Sequence, residues 1–156
     1  AAWQSQQKVP ISAGQVDWKV VPVSLPLRGE LVEDSLAKGL ADASLDVKAR
    51  VRLARDLAWT RRIKSGHEIP LACLRLGPVC IVHMPGELCV EYQLAAQKMR
   101  PGLFVCMAAY GDDGTGYICT QIAYSQGGYE TGRVSRVAPR VEAVLSEALD
   151  RLMPAR

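Results

Sequence analysis

Residues 69–93 read IPLACLRLGPVCIVHMPGELCVEYQ, and the punctuation of this stretch decides the fold. Two apolar runs, Ile69–Leu76 and Val79–Met84, have strand length and are separated only by the turn signal Gly77–Pro78. The second run ends in Pro85–Gly86. A carboxylate, Glu87, follows at once, and a helix is expected over Glu87–Arg100, with Leu88, Tyr92, Ala95 and Met99 inward. The stretch predicts a hairpin or two neighbouring strands, in a mixed β-sheet with helices packed on it. Glu87 then has two explanations. An acid in a first helical turn suits the positive end of the helix dipole. A carboxylate at the rim of an open sheet also sits where α/β folds place their sites.

Outward from this stretch the alternation continues. Residues 1–15 form a polar lead-in, and 16–156 form one α/β domain. Val16–Leu27 is β-rich, but Pro22 and Pro26 assign it to an edge or an extended arm. Gly29–Asp42 predicts a short helix with Leu31, Leu36 and Leu40 on one side. Leu45–Ser65 predicts a longer one, capped by Ser44, ended by Gly66, with Val47, Val51, Ala54 and Ala58 inward. The other face of that helix carries Arg50, Arg52, Arg55, Arg61, Arg62 and Lys64, which reads as a solvated face or a phosphate-type patch. Downstream, Leu103–Ala109 is a buried strand, GDDGTG a tight turn, and Tyr117–Cys119 a short apolar run. Residues 120–136 are irregular and Gly-rich. Pro139–Met153 is an amphipathic helix.

The 156 residues are 49% apolar, enough for one domain with a core. A net charge of +3 argues for neither nucleic acid nor an anionic membrane surface as a partner. No run of about 18 apolar residues occurs, so no transmembrane segment is expected. The start, AAWQSQQKVP, has no signal-peptide pattern and no initiator Met, which suggests a processed or shortened chain. The five cysteines lie in apolar stretches without CxxC spacing and read as buried thiols.

Chemistry has three places to reside: Pro85–Gly86–Glu87, the strand end and turn Tyr110–Thr120, and the Gly-flanked Tyr129–Glu130. The first two follow strands, so parallel neighbours would bring them to one sheet edge. Asp112 and Asp113 read most simply as turn residues, and His67 as a surface residue. His83 lies four residues before Glu87 and could join it. No HExxH, GxSxG or phosphate-binding loop is present.

The run LRLGPVCIVHMPGE resembles the neutral/alkaline ceramidase family, as does Gly-x-Gly-Tyr-Ile-x-Thr at 114–120 followed by Gly-Gly-Tyr-Glu at 127–130. The likeness covers roughly residues 69–153. It implies a zinc-dependent amide hydrolase acting on N-acyl-sphingosine or a related N-acyl amide. In that family two histidines, a glutamate and a tyrosine hold the zinc, which activates water and polarises the carbonyl. The glutamate of Pro–Gly–Glu falls on Glu87, and the tyrosine falls on Tyr117, with Cys119 replacing the first Thr after it. These two would be metal ligands and catalytic groups, with His83 as a further possible ligand. Gly116, Tyr129 and Glu130 would form the substrate loop. The resemblance also implies a secreted or periplasmic protein, although five unpaired cysteines point the other way.

The family's zinc histidines lie well upstream of Pro–Gly–Glu, and His67 and His83 are too close to it to be them. The chain is therefore expected to be an inactive fragment whose partner is the N-terminal part of a catalytic domain. The alternative is a non-catalytic binding or scaffold domain that keeps the fold without the zinc histidines.

Overall fold

The computed structural model describes residues 1–6 and 8–153; Gln7 of the lead-in and the last three residues of the expected domain lie outside them. Four strands form a sheet of order β1-β2-β3-β5: β1 (Val16–Val23), β2 (Ile69–Leu76), β3 (Val79–Pro85) and β5 (Phe104–Gly111). The first three run antiparallel in sequence, and β2–β3 is the hairpin read from Gly77–Pro78. β5 returns parallel to β3 after the helix α4 (Glu91–Met99). The sheet is thus mixed, with helices packed on it. Pro22 lies on the edge strand β1, where its missing N–H breaks no ladder.

The period-two alternation of the strands sends Val21, Leu71, Cys80, Val82, Met84 and Val105 to one side of the sheet. There they meet α6 (Val141–Leu152), whose Val141, Leu145, Leu149 and Leu152 are buried, as the helical spacing predicts. Each such side chain contributes about 1.5–3 kcal/mol when fully removed from water. Gln93 of α4 covers the edge of β5. Its side-chain amide donates to the Val105 carbonyl and its oxygen accepts from the Met107 N–H, both at 2.6 Å.

Several expectations need correction. Within the polar lead-in 1–15, a helical turn, α1, spans Ala2–Ser5 and a 3-10 turn spans Ala13–Gln15. The short helix α2 is confined to Glu33–Leu40. The long helix α3 spans Val47–Lys64, and Asp46, not Ser44, caps it by accepting from the Ala49 N–H at 2.7 Å. Its buried residues are Leu57, Trp59 and Thr60, whereas Val47, Val51, Ala54 and Ala58 are exposed. Larger side chains won the competition between two apolar stripes, because burial energy scales with area. Glu87 is not in a helix: it starts β4 (Glu87–Leu88), and α4 begins at Glu91. The segment 120–136 is not wholly irregular but contains a helix, α5 (Gln121–Gln126). Cys89 and Cys106 are only half-buried, unlike Cys73, Cys80 and Cys119.

The opposite face of the sheet carries no layer among the described residues. Two cross-strand rows of apolar side chains traverse it, Trp18–Leu74–Ile81–Cys106 and Val16–Leu76–Val79–Phe104. Trp18 is 60% exposed and Phe104 68% exposed. An apolar face of this extent binds apolar probes and other surfaces. The Trp18→Lys/Phe104→Lys chain should therefore bind less anilinonaphthalene sulfonate and self-associate less than the parent. Its unfolding free energy should stay within about 0.5 kcal/mol, because both side chains are exposed. Dye titration and sedimentation check this.

Candidate functional site

Beyond the main sheet, β4 pairs in parallel with β6 (Tyr117–Ile118), and the register sets Glu87 directly beside Tyr117. The Glu87 N–H donates to the Gly116 carbonyl at 3.0 Å, and the Cys89 N–H donates to the Ile118 carbonyl at 3.1 Å. Two glycines permit the approach. Gly86 has φ 62°, and a Cβ there would lie 2.2 Å from the Thr115 hydroxyl oxygen and 2.5 Å from the Gly116 carbonyl oxygen. Gly116 has φ 79°, and a Cβ there would lie 2.1 Å from the Val134 carbonyl oxygen.

The Glu87 carboxylate, set beside it by the register, pushes the Tyr117 phenol up to about 12, by hydrogen bonding to the neutral phenol and by repelling the phenolate. The Tyr110 hydroxyl reaches the same carboxylate at 3.5 Å, a long contact. Tyr110 has φ 62°, rare for a bulky residue, and its N–H is tied to the Gly86 carbonyl at 2.6 Å. Backbone strain of this kind concentrates at functional sites. The Tyr129 ring meets the Tyr117 ring edge-on, with centroids 5.8 Å apart.

Glu87, Tyr117 and Tyr129 line an open cleft of about 530 Å³. Glu130 lines a neighbouring cleft of about 340 Å³, which also touches Tyr117. The site residues expected from sequence thus gather here, with one exception. His83 belongs to the uncovered sheet face, in register with Ala72 and Ala108, and its ring packs against Gly111. Among the described residues no hydrogen bond joins it to Glu87 or Tyr117. His67 is half-exposed and pairs with Asp113 at 2.9 Å. Asp113 also pairs with Arg62 of α3, so it is a tether between helix and turn and not a turn residue alone.

Zinc needs three or four N, O or S ligands. The described residues contain no group of three His, Cys, Asp or Glu that could hold a metal. Glu87 and Tyr117 supply two oxygens, so the residues present do not fit a complete zinc centre.

The sequence offered Arg52 and Arg55 as part of a solvated face or phosphate-type patch, but did not place them on the far wall of the cleft. Lys48, Arg52 and Arg55 of α3 line it, together with Arg133 and Arg136 from the loop before α6. The signal was present in the spacing: 48, 52 and 55 fall on one helical face. Which side of the helix faced a cleft could not be read without the tertiary contacts.

No protein-family model matches the chain, and no curated protein matches it. Among solved structures it is similar to neutral ceramidase from Pseudomonas aeruginosa, with a TM-score of 0.56 and 17% identity. The match covers 89% of this chain and 28% of that one. It is also similar to a ceramidase complexed with C2, at a TM-score of 0.48 and 21% identity over 55% of this chain and 14% of that one. At these identities the likeness is one of fold. The chain spans less than a third of either structure's length. No helix among the described residues is long and apolar enough to cross a membrane.

Two predictions follow from this geometry. In Glu87→Gln, one tyrosine should titrate near the ordinary value of 10.0 instead of about 12, as read by tyrosinate absorbance. A raised phenol pKa means that the folded chain holds the proton more tightly than the unfolded chain. The associated stability is fully present below pH 10.0 and is lost as pH rises through about 12, so the variant should lack that alkaline loss. Separately, Gly116→Ala should cost about 2–4 kcal/mol, combining left-handed strain with a backbone clash. Gly114→Ala, at φ 55° with nothing within 4 Å, should cost only about 1 kcal/mol. Denaturant unfolding separates the two.

Proposed function

We propose that the chain is the C-terminal part of a zinc-dependent amide hydrolase of the neutral ceramidase kind, acting on an N-acyl lipid or related N-acyl amide. The observation that carries this reading is the register pairing of Glu87 with Tyr117, within a fold shared with part of a neutral ceramidase. In the complete protein Glu87 and Tyr117 would be two of the zinc ligands, and the nitrogen donors would come from polypeptide outside these 156 residues. Tyr117, kept neutral by Glu87, would donate a hydrogen bond to the oxyanion that forms at the amide carbon. Gly116 admits the Val134 carbonyl that holds the Tyr117 strand, and Tyr129 and Glu130 would border the substrate.

The uncovered sheet face supports the same reading. Its two apolar rows suit a further layer of the same catalytic domain, about 10 Å away as in stacked sheets. The isolated chain would then be inactive. The competing reading, a scaffold domain that keeps the fold, is favoured by one observation, that the donor set stops at two.

One experiment decides between them. In the longer protein that contains this sequence, Glu87→Ala should remove stoichiometric zinc and lower N-acyl amide hydrolysis at least 100-fold, on the order of 3 kcal/mol of transition-state stabilisation. The isolated chain should retain no zinc after desalting. Full activity in Glu87→Ala would overturn the assignment of Glu87. A longer protein that binds no zinc and cleaves no N-acyl amide would establish the scaffold reading.

A further inference from the structure

Apart from Arg50, which lines no part of the cleft, the basic residues of α3 fall into two sets. Arg61 and Lys64 pair with Glu33, and Arg62 pairs with Asp113. Lys48, Arg52 and Arg55, which line the cleft in front of Glu87 and Tyr117, pair with no acid among the described residues, and neither does Arg133 across from them. Arg136 is neutralised by Asp56 at 2.7 Å. Four unpaired cations therefore face a single carboxylate, Glu87. Like charges at i, i+4 and i, i+3 destabilise a helix by a few tenths of a kcal/mol per pair, so this stripe is held at a cost. A bound anion would offset it, and arginine forks suit carboxylate, sulfonate or phosphate oxygens.

The second cleft differs in character. Leu88, Val90, Cys119 and Ala123 line it, with Glu130 as its one acid, and it meets the basic cleft at Tyr117. An apolar groove on one side of the hydroxyl and a cationic one on the other match an amphiphile lying across Tyr117.

We infer that the paired clefts bind an N-acyl amide whose amine half carries an anionic group, with the acyl chain along Leu88 and Val90 and the anion among Arg52, Arg55 and Arg133. That this amide is also cleaved rests on the proposed hydrolase function; its binding does not.

Calorimetric titration of this chain with N-decanoylglycine and N-decanoylethanolamine, below their micelle concentrations, isolates the anion because the acyl chains are identical. The glycine conjugate should bind at least about tenfold more tightly at low salt, since a hydrogen bond to a charged group contributes about 1.5–3 kcal/mol. The preference should shrink in about 1 M salt, where the screening length is near 3 Å. Arg52→Gln/Arg55→Gln should abolish it, and Arg50→Gln, on the same helix but outside the cleft, should keep it. Equal affinities, no binding of either compound, or a preference surviving in the double variant would overturn the inference. Inorganic phosphate binding as tightly as N-decanoylglycine would overturn the amide ligand. Since no catalysis is measured, failure of the hydrolase reading would show separately, as anion preference without hydrolysis in the longer protein.

Discussion

The parallel pairing of β4 with β6 is the constraint on which the site depends. It joins residues 30 positions apart through two backbone hydrogen bonds, with strands of two residues each. A ladder this short has little stability of its own. It persists because each strand is held from outside. The Gly86 carbonyl accepts from the Tyr110 N–H, and the Val134 carbonyl accepts from the Tyr117 N–H at 3.1 Å. Ile118, fully buried between them, anchors the pair in the core. A Cβ on Gly86 would strike the Gly116 carbonyl oxygen and crowd Ile118, and one on Gly116 would strike the Val134 carbonyl oxygen. The glycines are therefore a condition for Glu87 and Tyr117 to meet, and the raised phenol pKa is a consequence of that meeting.

The cleft's width is set by a second group of contacts. Arg28 donates to the carbonyls of Thr131 at 2.7 Å and of Gly132, which fixes the loop that presents Arg133. The Tyr124 and Ser135 hydroxyls hydrogen-bond at 2.8 Å on the other side of that loop. Arg136 then bridges the loop to Asp56 of α3, with both side chains largely shielded from water. Removing one partner of such a pair strands the other charge, so the bridge holds helix and loop at a defined separation. The contrast with Arg61 and Lys64 is instructive: their pairing with exposed Glu33 contributes little to stability. One arginine positions the cleft wall, and its unpaired neighbours give the wall its charge.

The hairpin, the existence of β5 as a strand and the inward face of α6 were legible because each rests on local periodicity and turn chemistry. The convergence of Glu87 and Tyr117 was legible conditionally, since both follow strands that proved to be parallel neighbours. What failed has physical causes. A two-residue strand has no period, so β4 was absorbed into the helix that follows. α3 offers two apolar stripes, and only the partner surface selects Leu57 and Trp59 over Val47 and Val51. Asp113 stands in a glycine-rich turn, and nothing local announces that Arg62, 51 positions away, will reach it. For the same reason, the cationic stripe of α3 could be read only as a solvated face or a phosphate-type patch, with no place at the cleft.

The bare sheet face and the two-donor site are separate observations that make the same demand. A sheet with one face packed and the other apolar across two full rows is half of a layered core. A carboxylate and a neutral tyrosine at the rim of that sheet supply two oxygens, short of the three or four ligands a zinc centre needs. A scaffold domain would need a partner to cover the face and would leave the two-oxygen rim incomplete. It would also leave unexplained why left-handed backbone at Tyr110 and Gly116 is maintained around an acid that binds nothing. Under the proposed function, a single further layer packed on Trp18 and Phe104 and carrying nitrogen donors to the edge near Glu87 would account for both with one polypeptide. His83, on the uncovered face, would then lie beneath that layer, and the nitrogen donors would come from the layer itself.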